Sequence, residues 1–181
     1  MDNIKEFTGA TEAEIWQQVA ADMAAQKGII RYTAMLHQGG YHTLFDLDID
    51  LGGGFESGIS TTTFKAAVPA RVPLRFHLQE QDFLHEIGKA LGMEDVKLGY
   101  PDFDDAFMIR TNQPDTLKKL FADEKTRHIL LRHTSASLKL EAEDEASETA
   151  ILQFRKDEPI GDAASLQDIY HVLVHILAQI A

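Results

Sequence analysis

His171 and His175 stand four residues apart near the end of the chain, a spacing that brings two imidazoles to one face of a helix, where they can share a divalent metal beside Asp168. No Glu follows His171, so the hydrolytic zinc pattern is missing, and an exposed or capping pair accounts for the same residues. Asp102, Asp104 and Asp105 form a second cluster, with the side chains needed for a cation or for acid–base work. They follow Gly99-Tyr100-Pro101, which is turn chemistry, and lie among Phe103 and Phe107. Turn capping by Asp beside buried rings explains them better, because no His, Cys or second carboxylate motif stands near. Asp46-x-Asp48-x-Asp50 opens like a calcium loop, but Leu51 stands where such a loop needs Gly and Ser57 where it needs Glu. Gly53 to Ser60 imitates a phosphate loop with Ile59 in place of the required Lys, and Gly58-Ile59-Ser60 lacks the last Gly of a nucleophile elbow. No residue is assigned a catalytic role. A ligand pocket between sheet and helices would draw on His42, His77, Asp104 or Arg110.

The elements that must carry these groups are legible from periodicity. Thr11 precedes a helix whose stripe is Ile15, Trp16, Val19, Ala20 and Met23, ended by Gly28. The period then becomes two. Strands are expected at 30–36, 41–51, 59–68 and 72–79, with Gly39-Gly40 as a turn and with Phe45, Leu47, Phe64, Val68, Phe76 and Leu78 facing inward. Outward positions carry His42, Asp46, Asp48 and Asp50 opposite Lys65 and Arg75, an acidic stripe paired across strands that suits a basic partner. One apolar and one polar face per strand is the pattern of an antiparallel sheet covered on a single side.

Residues 81–112 organise the chain around them. Asp82 caps a helix with Phe83, Leu84, Ile87 and Leu91 on one face, Gly92 ends it, and a Pro turn leads into a short apolar strand at 108–112. Leu91-Gly92, Asp95-Val96, Leu98-Gly99 and then Pro101-x-Phe103-Asp104-x-x-Phe107-x-Ile109 with Thr111-Asn112 resembles a segment found in a group of bacterial proteins of unknown function. The resemblance covers about a third of the chain and implies a shared fold segment only, with no activity or site residue to carry over.

Helices are expected from Pro114 to Phe121 and from Thr126 to His133, then strands around Leu138–Leu140 and Ala150–Phe154 flanking an acidic tip at 141–148. The last helix has Leu166, Ile169, Tyr170, Leu173, Ile176, Leu177 and Ile180 on one wide face, continued by Val172, Val174 and Ala178. Such a helix is either buried on more than one side or meets a partner, here a protein partner or a second copy of the chain.

Composition narrows the classes. The chain has 181 residues, enough for one domain with a full core, and the order of elements allows degenerate halves at 1–92 and 93–181. It has no cysteine, which removes disulfides, thiolate chemistry and Cys-ligated zinc. With 29 acidic against 17 basic residues the formal charge is −12, which opposes nucleic acid and anionic membranes. The opening residues are polar and charged, without an apolar leader, so a cytoplasmic setting is expected. The expected fold is α+β in two layers, a curved antiparallel sheet of about seven strands with helices on one face. The expected role is a non-enzymatic protein-binding or adaptor module without a cofactor, and the alternative is a small-molecule binder or enzyme with its pocket between sheet and helices.

Overall fold

The computed structural model describes residues 4–50, 58–81, 92–142 and 147–180. The helix expected at 82–91, the Gly-rich residues before 58 and the acidic tip at 143–146 lie outside them.

The element order is β1 (Lys5–Gly9), α1 (Glu12–Ala25), β2 (Arg31–Gln38), β3 (Tyr41–Asp48), β4 (Thr61–Pro69), β5 (Phe76–Glu80), β6 (Glu94–Asp95), α2 (Pro101–Ala106), β7 (Phe107–Thr111), α3 (Pro114–Leu120), α4 (Glu124–Leu131), β8 (Ser137–Ala142), β9 (Thr149–Lys156) and α5 (Ala163–Ile180). The described strands form one nine-stranded sheet in the order β1-β2-β3-β4-β9-β8-β5-β7-β6. Only β1 and β2 run parallel, and every other pair is antiparallel. The two-layer α+β architecture is thus as expected, but the count of about seven strands was low by both edges, β1 and β6. Strand order places β5 between β8 and β7.

Alternation decides which face is covered. Ala34 and Leu36 of β2, Phe45 and Leu47 of β3, Phe64 and Val68 of β4, Leu152 and Phe154 of β9, Leu138 and Leu140 of β8, and Phe76 and Leu78 of β5 are all buried. They meet helix residues Ile15, Trp16 and Val19 of α1, Leu117 and Leu120 of α3, Ile129 and Leu130 of α4, and the buried face of α5. Trp16 lies against Phe45, Phe64 and Tyr170 at centroid distances of 5.8, 6.2 and 6.0 Å, and Phe103 joins Phe107 and Phe121 at 5.0 and 5.4 Å. These two aromatic clusters anchor the helix layer at the two halves of the sheet.

Local chemistry sets the joints. Thr11 and Glu14 form a reciprocal capping box at the start of α1. Gly39 and Gly40, at φ +54° and +86°, close the β2–β3 hairpin in a conformation that side chains with a Cβ resist. Thr62, fully buried, donates from its hydroxyl to the Glu158 carbonyl and accepts from the Ile160 N–H, both at 2.9 Å, which ties β4 to the segment leading into α5.

α5 answers the either-or that its sequence posed. Leu166, Ile169, Tyr170, Val172, Leu173, Val174, Ile176 and Leu177 are all buried, and the helix packs between the sheet, α1 and α4. Most of its apolar surplus is used inside the chain, while Ala178 is exposed and Ile180 half-buried at its end. No helix among the described residues is long and apolar enough to cross a membrane.

Candidate functional site

The helices take one face of the sheet; on the other, strand registers line up a row of side chains. Cross-strand pairs run Glu6–Met35, Met35–Leu44, Leu44–Lys65, Lys65–Gln153, Gln153–Lys139, Lys139–His77, His77–Arg110 and Arg110–Asp95. Paired residues point to the same side, so this single row crosses all nine strands on the face opposite the core. The next row holds Thr33, Asp46, Thr63, Arg155 and Ser137, and the row on the other side holds Ile151 and Glu141. Met35, Leu44, Met108 and Ile151 are half-buried there, while Lys65 and Arg155 are exposed.

Two hollows open on this face and meet at Arg155. The larger, about 910 Å³, runs along β2, β3 and β4 past Arg31, Thr33, Leu44, Asp46, Thr63 and Lys65. The smaller, about 180 Å³, lies over β5, β8 and β9 and is lined by His77, Gln79, Ser137, Lys139, Gln153 and Asp157 among others. Lys139 pairs with Glu141, and Arg155 pairs with Asp157 at 2.9 Å. Arg110 donates to Asp95 at 2.5 Å. Among the described residues Lys65 has no carboxylate partner. Burial holds the His77 imidazole below its ordinary pKa, with Lys139 and Arg110 acting the same way and Glu141 opposing them. The shift favours the neutral ring, which carries one donor and one acceptor. Among the described residues the Ser135 and Ser137 hydroxyls beside it make no hydrogen bond to it.

The expected acidic stripe is corrected by this register. Asp46 lies opposite Thr63 and accepts from the Thr33 hydroxyl at 2.6 Å, and Asp48 lies opposite Thr61, so neither carboxylate is the direct cross-strand partner of Lys65. Arg75 is not in the sheet: its guanidinium donates to the Val72 and Leu74 carbonyls at 2.6 Å in the loop before β5. Asp46 and Asp48 do lie in the extended β3, as the alternation of Phe45 and Leu47 requires, and not in an ion-wrapping loop. Toward β9 and β8 the face carries both signs, Lys139 and Arg155 paired with Glu141 and Asp157.

The four ligand candidates divide. His77 and Arg110 are direct cross-strand neighbours in the row. His42 is remote from them at the β2–β3 hairpin, where its Nδ1 lies 2.6 Å from Nδ1 of His37 and one ring donates to the other. Asp104 is buried in α2 and faces its own turn. Its Oδ1 accepts from the Leu98 N–H at 2.8 Å, and its Oδ2 accepts from Gly99 and Tyr100 at 2.7 and 3.1 Å. Three backbone donors occupy the carboxylate, which makes it the capping group of the turn, while Asp102 and Asp105 are exposed.

His171 and His175 are likewise committed to neighbours. His171 Nδ1 lies 2.9 Å from a Glu12 carboxylate oxygen, and His175 Nε2 lies 2.6 Å from the Gln179 amide. Their rings are 6.2 Å apart, and among the described residues no group of three or more His, Asp or Glu side chains is placed to hold a metal ion.

Lys65, Lys139, Gln153 and Arg155 form the centre of the site, and of these the sequence singles out Lys65 alone, as an outward partner of the acidic stripe. The only trace the others leave there is their outward parity on strands whose pairing the sequence does not reveal. Comparison with protein-family models, with curated proteins and with solved structures finds nothing that matches this chain.

Proposed function

We propose that the chain is a non-enzymatic protein-recognition module whose contact surface is the helix-free face of its sheet. The observation that carries this reading is the uninterrupted row from Glu6 to Asp95, in which apolar Met35 and Leu44 adjoin the polar side chains of Lys65, Gln153, Lys139 and His77. Half-buried apolar side chains set among charged ones are the composition of a non-obligate interface, apolar at its core and polar at its rim. A rigid sheet presents them without an ordering cost at the moment of binding. The setting assigned is the cytoplasm, supported by a chain without cysteine. The test is a photo-crosslinking residue placed at Gln153 and, as control, at the exposed Lys125 on α4. Protein adducts in cells should form from position 153 and not from 125. Adducts confined to 125, or none from either, would overturn the reading.

A second reading rests on the smaller hollow, where an imidazole, two cations and carboxylates gather in about 180 Å³. It favours a small polar ligand over catalysis, because no hydroxyl there is hydrogen-bonded to His77 among the described residues. Saturable shifts of the His77 ring resonances on screening small polar metabolites, without a protein adduct at 153, would shift the assignment to this reading.

A further inference from the structure

We infer that the partner element recognised by this face is an acidic, extended peptide segment, seated on Lys65, Lys139 and Arg155 around Gln153. The inference rests on the proposed recognition face and adds the chemistry of its partner.

Gln153 is the centre of a small block of defined registry. Lys65 lies directly across from it on β4, Lys139 directly across on β8, and Arg155 two residues along its own strand. The remaining positions of the block are Thr63, Ala67, Ser137, Ile151 and Glu141, so its formal charge is three cations against one carboxylate. Direct neighbours across a sheet have Cβ atoms about 5 Å apart and diagonal ones about 7–8 Å, which puts Arg155 within reach of both Lys65 and Lys139. Like charges gathered on neighbouring strands repel and weaken the sheet, so the arrangement favours an anion that comes between them.

Of the acids nearby, Asp46 lies diagonally across from Lys65 and accepts from the Thr33 hydroxyl. Glu141 is held by Lys139 on its own strand and Asp157, just past the end of β9, by Arg155, and the two acids' side chains are 41% and 63% exposed. Surface pairs of this kind contribute little and exchange readily for an incoming carboxylate. Lys65 has none to exchange among the described residues. Arg155 lines both hollows, so an anion seated on it reaches the apolar strip at Leu44 on one side and the Ser137 and His77 side chains on the other.

The chain as a whole carries −12, yet the field of distant carboxylates fades over about 8 Å at physiological salt, and the local three cations decide what binds here. An extended segment carries alternate side chains about 6.7 Å apart on one side. Lys65 and Lys139 lie two strands apart, roughly 9.6 Å, and their flexible stems close the difference to carboxylates on alternate residues.

The test uses fluorescein-labelled decapeptides of alternating Glu and Ser, Gln and Ser, and Lys and Ser, titrated with the full chain by fluorescence anisotropy. The Glu–Ser peptide should bind best, and binding should weaken several-fold between about 50 and 300 mM NaCl. The Lys65→Glu/Arg155→Glu variant should lose roughly tenfold or more in affinity, since each exposed pair alters an equilibrium constant by up to about fivefold and reversal adds repulsion. Both positions are exposed, and circular dichroism checks that the variant folds. Equal binding of the Gln–Ser peptide, stronger binding of the Lys–Ser peptide, or an affinity indifferent to the double reversal overturns the inference. Inorganic phosphate shifting the Gln153 amide resonances while the Glu–Ser peptide does not also overturns it, in favour of a small oxyanion. Adducts at position 153 in cells together with any of these negative results would remove the acidic partner while leaving the recognition face standing.

Discussion

Replacing Asp104 separates a structural carboxylate from a chemical one. Its two oxygens accept three backbone N–H groups, from Leu98, Gly99 and Tyr100, at 2.8, 2.7 and 3.1 Å. In Asp104→Ala the Leu98 donor is left beside a side chain only 1% exposed, where water cannot replace the acceptor, at a cost of about 1–3 kcal/mol. The Gly99 and Tyr100 donors lie in partly buried positions and recover water in part, adding about 0.5–1 kcal/mol each. The sum, about 2–5 kcal/mol, is a large share of the roughly 5–15 kcal/mol that holds a domain of this size together. Asp104→Asn keeps one accepting oxygen and points an amide N–H₂ at a donor, so it should lose about 1–3 kcal/mol. Urea unfolding followed through the single tryptophan, Trp16, reads these losses directly, since that ring is 2% exposed against Phe45, Phe64 and Tyr170. Asp102→Ala and Asp105→Ala, both exposed, should stay within about 0.5 kcal/mol of the parent. An Asp104→Ala protein as stable as the parent would refute the capping assignment and return the carboxylate to the pool of chemical groups.

Geometry fixes the outcome of other perturbations in the same way. His133 and His77 are held below their ordinary pKa, in each case chiefly by burial. The unfolded chain therefore binds more protons than the folded one as pH falls below about 6.5, so this stability is present above that pH and declines beneath it. Urea midpoints at pH 7.5 and 5.5 should show the decline, and His133→Gln should lessen it. Thr62→Val removes the hydroxyl that accepts from the Ile160 N–H and donates to the Glu158 carbonyl, and should cost about 1–3 kcal/mol in denaturant unfolding. Gly40→Ala, at φ +86°, should cost about 1–2 kcal/mol, read as a lower midpoint without a change in slope.

Much of the layer structure was open to inference because a sheet covered on one side writes a period of two into its strands. Tyr32 to Leu36, Phe45 to Leu47 and Leu152 to Phe154 show it plainly. The edges did not, for physical reasons: β6 has two residues, and β1 mixes Lys5 and Glu6 with Phe7 in a strand too short to reveal a pattern. α5 was ambiguous because wide apolarity fits both a buried helix and an interface, and only the positions of α1 and α4 decide between them. Asp104 could be assigned to a turn by residue type, although its three donors depend on how Leu98 to Tyr100 fold back. The cationic block was out of reach. Lys65 and Gln153 become neighbours only through the β4–β9 pairing, and parity alone says which face a residue takes, not what it meets there.

The β4–β9 seam also has a consequence for how the chain is made. Val68 finds its ladder partner at Ala150, and Thr62 finds its own at Lys156, so the middle of the sheet is closed by the last of the described strands along the chain. Until then β4 waits with an unpaired row of amides and carbonyls and a side bearing Phe64 and Val68, the kind of surface that joins other nascent chains. Slow closure of so distant a contact predicts that yield during synthesis, more than the stability of the finished fold, is where this sequence depends on chaperones.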